Sequence, residues 1–122
     1  MLINLQNIFL QNLSKLFVYA NELGYLISGG ELYRTSEMAE LYAKEGKGIV
    51  DSLHCQRLAM DINLFDNTGN LLADWSSYRK LGDYWESLHP NNQWGGYFLV
   101  RGGSRIDSDH FEMKQVVASR KT

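Results

Sequence analysis

Cysteine and proline are almost missing from this chain: Cys55 and Pro90 are the only examples in 122 residues. A single cysteine cannot form an internal disulfide, so nothing in the fold depends on an oxidising compartment. With 44% hydrophobic and 21% charged residues and so little proline, the composition is that of a globular protein and excludes a disordered or fibrous one. Basic clusters are also lacking, since no run of Lys or Arg exceeds a pair. With a net charge of -2 there is no electrostatic footprint for nucleic acid or an anionic membrane. Long apolar runs are missing too. The opening stretch "MLINLQNIFLQNLSKLFVYANELGY" is broken by Asn4, Gln6, Asn7, Gln11, Asn12 and Lys15 and lacks a basic n-region, so neither a signal peptide nor a membrane span is expected.

The length suits one domain over 1–122, with one core. Leu2, Leu5, Phe9, Leu13, Leu16, Ala20 and Leu23 recur at spacings of three and four, which predicts an amphipathic helix that stops at Gly24 and covers a sheet. "LISGGELY" (26–33) reads as a short strand bent at its glycines. A second helix is expected over about 36–45, capped by Thr35 or Ser36, with Met38, Leu41 and Tyr42 on one face and Gly46 and Gly48 ending it. A strand over 58–65 leads through the turn "DNTGN" into "LLADW". A third helix is expected over about 77–88, with Tyr78, Leu81, Trp85 and Leu88 on one side. Beyond Pro90, "NNQWGG" reads as a loop, "YFLVR" as a strand, "GGSRIDSD" as a loop and "HFEMKQVV" as a last strand. This order predicts an α+β domain with a largely antiparallel sheet and helices packed on one face.

Within the 58–65 strand the pleat sets Leu58, Met60, Ile62 and Leu64 toward the helices and Ala59, Asp61 and Asn63 away from them. The last strand repeats the arrangement, with Phe111 and Met113 inward and His110 and Glu112 outward. If His54 lies in the turn before the first of these strands, then His54, Asp61 and His110 converge over the sheet. Two imidazoles and a carboxylate suit a catalytic zinc, which keeps its fourth position for water. The spacing alone fits a surface histidine and a turn-capping aspartate equally well.

"SLHCQRLAMDINLF" followed by "DSDHFEM" resembles the two signature segments of the zinc D-Ala-D-Ala carboxypeptidase and L-Ala-D-Glu endopeptidase family. That family includes vancomycin-resistance dipeptidases and many phage endolysins, and it shares its fold with the hedgehog signalling domain. Ser52, His54 and Asp61 match the first signature; Asp107 and His110 match the second. Arg34 in "LYRT" matches the family's arginine after the first strand, and "WGGYF" is similar to the WGG loop of the endolysin branch. Arg57 stands where many members have glycine, which removes the easiest left-handed conformer from that turn.

The resemblance implies that His54, Asp61 and His110 hold Zn2+, with Asp107 as acid–base group and Arg34 on the oxyanion or a substrate carboxylate. It also implies that Ser52 hydrogen-bonds substrate. Trp94 either lines the substrate groove or packs. The bland readings are that Asp107 and Asp109 are solvated turn residues and that Arg34 pairs structurally with Glu31 or Glu37. Glu112 either supports His110 or faces solvent, Cys55 on an extended segment points away from His54, and His89 before Pro90 caps a helix end, where a cation complements the dipole. The expected partner is a peptidoglycan stem peptide, cut between L-Ala and D-Glu by a monomeric endolysin that stays in the cytoplasm until released to the wall. A D-Ala-D-Ala carboxypeptidase or dipeptidase is the alternative on the same scaffold, and a non-catalytic zinc-stabilised binding domain is the alternative from another class.

Overall fold

The computed structural model describes residues 1–46 and 52–115. Helix α1 (Leu2–Glu22) buries Phe9, Leu13, Leu16 and Ala20, the face marked by the three-and-four spacing, and the chain turns at Gly24 with φ +86°. Strand β1 (Leu26–Gly29) follows, then helix α2 (Ser36–Lys44). Thr35 caps α2 by accepting the Met38 N–H at 3.1 Å. Its buried residue is Ala39, whereas Met38 and Leu41 are exposed, so the face expected from Met38, Leu41 and Tyr42 is corrected. Gly48 and the last two residues of "HFEMKQVV" lie outside the described residues.

Strand β2 (Ala59–Phe65) is central, and its neighbours β1, β3 (Leu71–Leu72) and β5 (His110–Met113) all run antiparallel to it. Strand β4 (Asn92–Trp94) extends the sheet beyond β5, giving the order β1-β2-β5-β4 with β3 beside β2. Helix α3 (Trp75–Leu88) begins two residues earlier than expected. Its cap is Asp74, whose carboxylate accepts the Ser77 N–H at 3.1 Å. Phe9, Leu13 and Leu16 of α1, Leu81 and Trp85 of α3, and Ile62, Leu64, Phe111 and Met113 of the sheet form one core. The expected α+β class with an antiparallel sheet is the observed one. Among the described residues no helix is long and apolar enough to cross a membrane.

Two segments differ from expectation. "NNQWGG" contains β4, because Asn92 is fully buried with its side-chain N–H on the Trp85 carbonyl and Trp94 fills the core. "YFLVR" is not a strand; it lies in a 3-10 turn (Gly95–Tyr97) and the turns after it. The backbone there is drawn inward. A Cβ on Gly95 would overlap the Asp107 carbonyl oxygen, and the Arg101 guanidinium grips Glu86 of α3 with two hydrogen bonds of 2.7 Å.

Candidate metal centre

Asp61 and His110 are Cα partners in the antiparallel ladder of β2 and β5. Asp61 directs its N–H and C=O the other way, to Glu31 O at 2.9 Å and from Gly30 N at 2.8 Å. Its pair with His110 is therefore of the non-hydrogen-bonded kind, in which facing side chains stand closest. On the other side of Asp61 the chain at Gly30 lies just as close, since a Cβ there would press on Asp61 at 3.0 Å.

His54 arrives from a 3-10 turn (Leu53–Gln56). Ser52 caps that turn, its Oγ accepting the His54 N–H at 3.2 Å, and Arg57 ends it at φ 58°. The left-handed turn thus survives with arginine in the glycine position, its guanidinium 4.0 Å from the centre of the Tyr33 ring. Because the segment is a 3-10 turn, the expected extended geometry at Cys55 is corrected; its Sγ lies 3.9 Å from the Thr35 carbonyl and outside the ligand cluster.

His54 Nε2 lies 3.3 Å from Asp61 Oδ1, and His110 Nδ1 lies 3.4 Å from the same oxygen. Four ligands about 2.05 Å from a tetrahedral ion are separated by about 3.3 Å, so these spacings fit one divalent ion. All three donor atoms fall within 4.8 Å of one another. The far nitrogens are fixed as well: His54 Nδ1 donates to the Leu32 carbonyl at 3.0 Å, and His110 Nε2 donates to Glu112 at 2.8 Å. Each such bond leaves the inward nitrogen with a lone pair when the ring is neutral. Glu112 therefore supports His110 rather than facing solvent.

Without a cation His110 holds a proton instead. Burial opposes charge on His110, but hydrogen bonds to Asp61 and Glu112 outweigh it and push its pKa up to about 9. Burial likewise opposes ionisation of Asp61, yet bonds to His110 and His54 hold it well below the usual carboxylate range. Asp109 is pushed up by burial first, then by its side-chain bond with Asp107 and the charge of Asp61.

The cluster opens into a cavity of about 500 Å3 whose walls include Arg34, Ser52, Phe98, Arg105, Asp107 and Asp109. Asp107 places Oδ2 3.9 Å from His110 Nδ1, the nitrogen facing the cluster. Arg34 is clamped: Nε and Nη2 bind Glu31 and Nη1 donates to Ser52 Oγ at 3.2 Å. The structural pairing with Glu31 is thus real, and it also aims the guanidinium along the cavity wall.

Trp94 does not line the groove. It is 0% exposed, its ring pressed against Gly82 and Gly96 and its indole N–H donating to the Ser108 carbonyl at 2.7 Å, so the expectation of substrate contact is corrected to one of packing. His89 is the C-cap residue of α3, and its Nδ1 accepts the Asn91 N–H at 3.0 Å. Sequence reasoning passed over two wall residues. Phe98, with its ring 5.5 Å from that of His110, was hidden in an apolar run, and Arg105 stands two positions before Asp107.

No protein-family model matches the chain, and no curated protein matches it. Among solved structures, its fold is similar to that of the Serratia marcescens L-Ala D-Glu endopeptidase ChiX, with a TM-score of 0.58 and 18% identity. The match covers 72% of this chain and 66% of that one, so it spans slightly less than two thirds of its neighbour. The likeness is one of fold.

Proposed function

We propose that this chain is a zinc-dependent peptidase of peptidoglycan stem peptides, of the endolysin type, cleaving the bond between L-Ala and D-Glu. The observation that carries the reading is the donor triangle of His54, Asp61 and His110 beside Asp107, in a cavity on a fold shared with an L-Ala D-Glu endopeptidase.

His54, Asp61 and His110 would hold zinc, which would supply Lewis acidity and bring the pKa of water toward neutrality. Asp107 takes a proton from the attacking water as its oxygen adds to the carbonyl carbon, and returns a proton to the amine as the C–N bond breaks. Peptide and water become a carboxylic acid and an amine, which at neutral pH stand as a carboxylate and an ammonium. Arg34 donates to the developing oxyanion, held in place beforehand by Glu31. Ser52 Oγ already accepts from His54 N and Arg34 Nη1, so its own O–H is left to donate to substrate.

Digestion of purified muropeptides followed by mass spectrometry tests this. New D-Glu amino termini are expected, and released D-Ala would favour the carboxypeptidase alternative. Asp107→Asn should lose on the order of 10²–10⁴-fold in rate while retaining zinc. Equal activity in variant and native protein would remove Asp107 from the mechanism, and wall binding without hydrolysis by either would favour a binding domain.

A further inference from the structure

We propose that the outer face of α1 is a self-association surface, on which a second copy of this chain docks with its own α1 antiparallel about a two-fold axis beside Leu10. The pairing does not depend on the peptidase reading, and it departs from the monomer that the sequence suggests.

A surface helix ordinarily turns a charged face to water. α1 has only Lys15 and Glu22 as charged residues over its 21 positions. Its outward positions are Ile3, Asn7, Leu10, Ser14 and Val18, which fall within about 80° of arc at about 100° per residue. Ile3 is 61% exposed, Leu10 54% and Val18 58%, and among the described residues nothing covers the stripe. Exposed aliphatic side chains with few charges between them mark an interface rather than a solvated face.

The stripe is complementary to itself. With the axis beside Leu10, Ile3 of each copy lies over Val18 of the other, Asn7 lies over Ser14, and the two Leu10 side chains meet. The two ends of α1 complement each other as well. Its C-terminal half borders a shallow groove of about 250 Å3 against α3, lined by Ser14, Lys15, Val18, Tyr19, Glu22 and Tyr84. The two tyrosine rings are stacked there at 4.2 Å. Its N-terminal turn projects Met1 and Ile3, both exposed. In the antiparallel pair each apolar N-terminal turn reaches the mouth of the other copy's groove, so one contact is made twice, as an isologous interface requires.

Charge follows the same order. The first turn of α1 has no side-chain cap and no acidic residue, and Glu22 stands at the opposite end. Antiparallel pairing brings Glu22 of each copy toward the other's helix N-terminus, where the dipole favours an anion. A parallel pair sets Glu22 beside Glu22 and leaves both grooves unfilled. No residue of α1 lines the metal cavity, so substitutions on this face test association separately from catalysis.

Two α1 helices in contact over about 22 Å make a small interface, near about 1,000 Å2, for which association in the micromolar range is expected. Sedimentation velocity of the native chain from about 1 to 500 µM brackets that range. The mass should rise from 14.0 kDa to twice that value and stop there. Leu10→Asp sets two carboxylates face to face at the axis and should weaken pairing by about 100-fold or more. Leu10→Lys should do the same, and an equimolar mixture of the two variants should restore the dimer. Leu71→Asp, on the exposed apolar end of β3, should pair as the native chain does. All three variants keep the buried face of α1 and should melt with the native chain. A native chain that stays monomeric, a mass that grows beyond the dimer, a dimer that survives Leu10→Asp, a mixture that stays monomeric, or a dimer lost in Leu71→Asp overturns the proposal. Each of these results leaves the peptidase reading standing, because none of them is read through activity.

Discussion

In the metal-free protein at about pH 8, His110 carries a proton that the ion must displace. Its pKa of about 9, raised by Asp61 and Glu112 against the opposing effect of burial, leaves roughly nine-tenths of the rings protonated at that pH. Ligation needs the Nδ1 lone pair, so zinc uptake should release about one proton from His110. The sign follows: apparent affinity rises nearly tenfold from about pH 7 to 8, more slowly as pH passes through about 9, and levels off above the His110 pKa. Glu112→Gln removes the carboxylate that receives the Nε2–H at 2.8 Å. The plateau should then begin at lower pH, because the proton is held less tightly, and its height should fall by about 10–100-fold, because the ligand is less well oriented. Calorimetry in two buffers of different ionisation enthalpy counts the proton, and chelator competition across pH gives the affinity. An uptake that releases no proton, with affinity flat between pH 7 and 9, would refute the account of His110 as an imidazolium held between two carboxylates.

The same pairing sets the pH dependence of the metal-free fold. The raised pKa of His110 contributes stability that is full below its ordinary value of 6.5 and disappears as pH rises through about 9. The depressed pKa of Asp61 contributes stability present above 3.8 and lost as pH falls toward its folded value. Asp109, raised to about 7, contributes stability that is lost as pH rises from about 4 to 7. Melting temperature without metal should thus peak near pH 4 and decline through about pH 9, and bound zinc should abolish the part of that decline due to His110. In the core, the Tyr78 hydroxyl donates to Ile62 O at 2.6 Å and accepts from Leu64 N at 3.1 Å. Tyr78→Phe removes both of these buried bonds to β2 and should cost about 1–3 kcal/mol in denaturant unfolding. Gly82→Ala pits a helix-propensity gain of about 1 kcal/mol against a methyl placed inside the Trp94 ring. The clash should win, and because Trp94 holds the Ser108 carbonyl, zinc affinity should weaken with stability.

The shared face of Asp61 and His110 was legible because strand alternation is a local rule. The pleat assigns Asp61 and His110 to one polar face, and the ladder register then sets them opposite each other. α1 was legible for the same kind of reason, its apolar spacing matching the helical period over 21 residues. The segment after Pro90 was not. Asn92 and Trp94 form a strand because Trp85, Gly82 and Ser108, distant in sequence, supply their partners. "YFLVR" has strand composition, yet the grip of Glu86 on Arg101 and the inward path of Gly95 fold it into turns. The pairings of Glu31 with Arg34 and of Glu112 with His110, three and two residues apart, were open readings of the sequence that the side-chain distances settle.

X-ray absorption of the zinc-loaded protein, read with the metal content of His54→Ala, Asp61→Ala and His110→Ala, tests the centre most directly. One zinc per chain is expected, with nitrogen and oxygen neighbours at about 2.0–2.1 Å and stoichiometric binding lost in each variant while the fold persists. A zinc–sulfur distance near 2.3 Å, pointing to Cys55, or full metal content in any of the three variants, would contradict it.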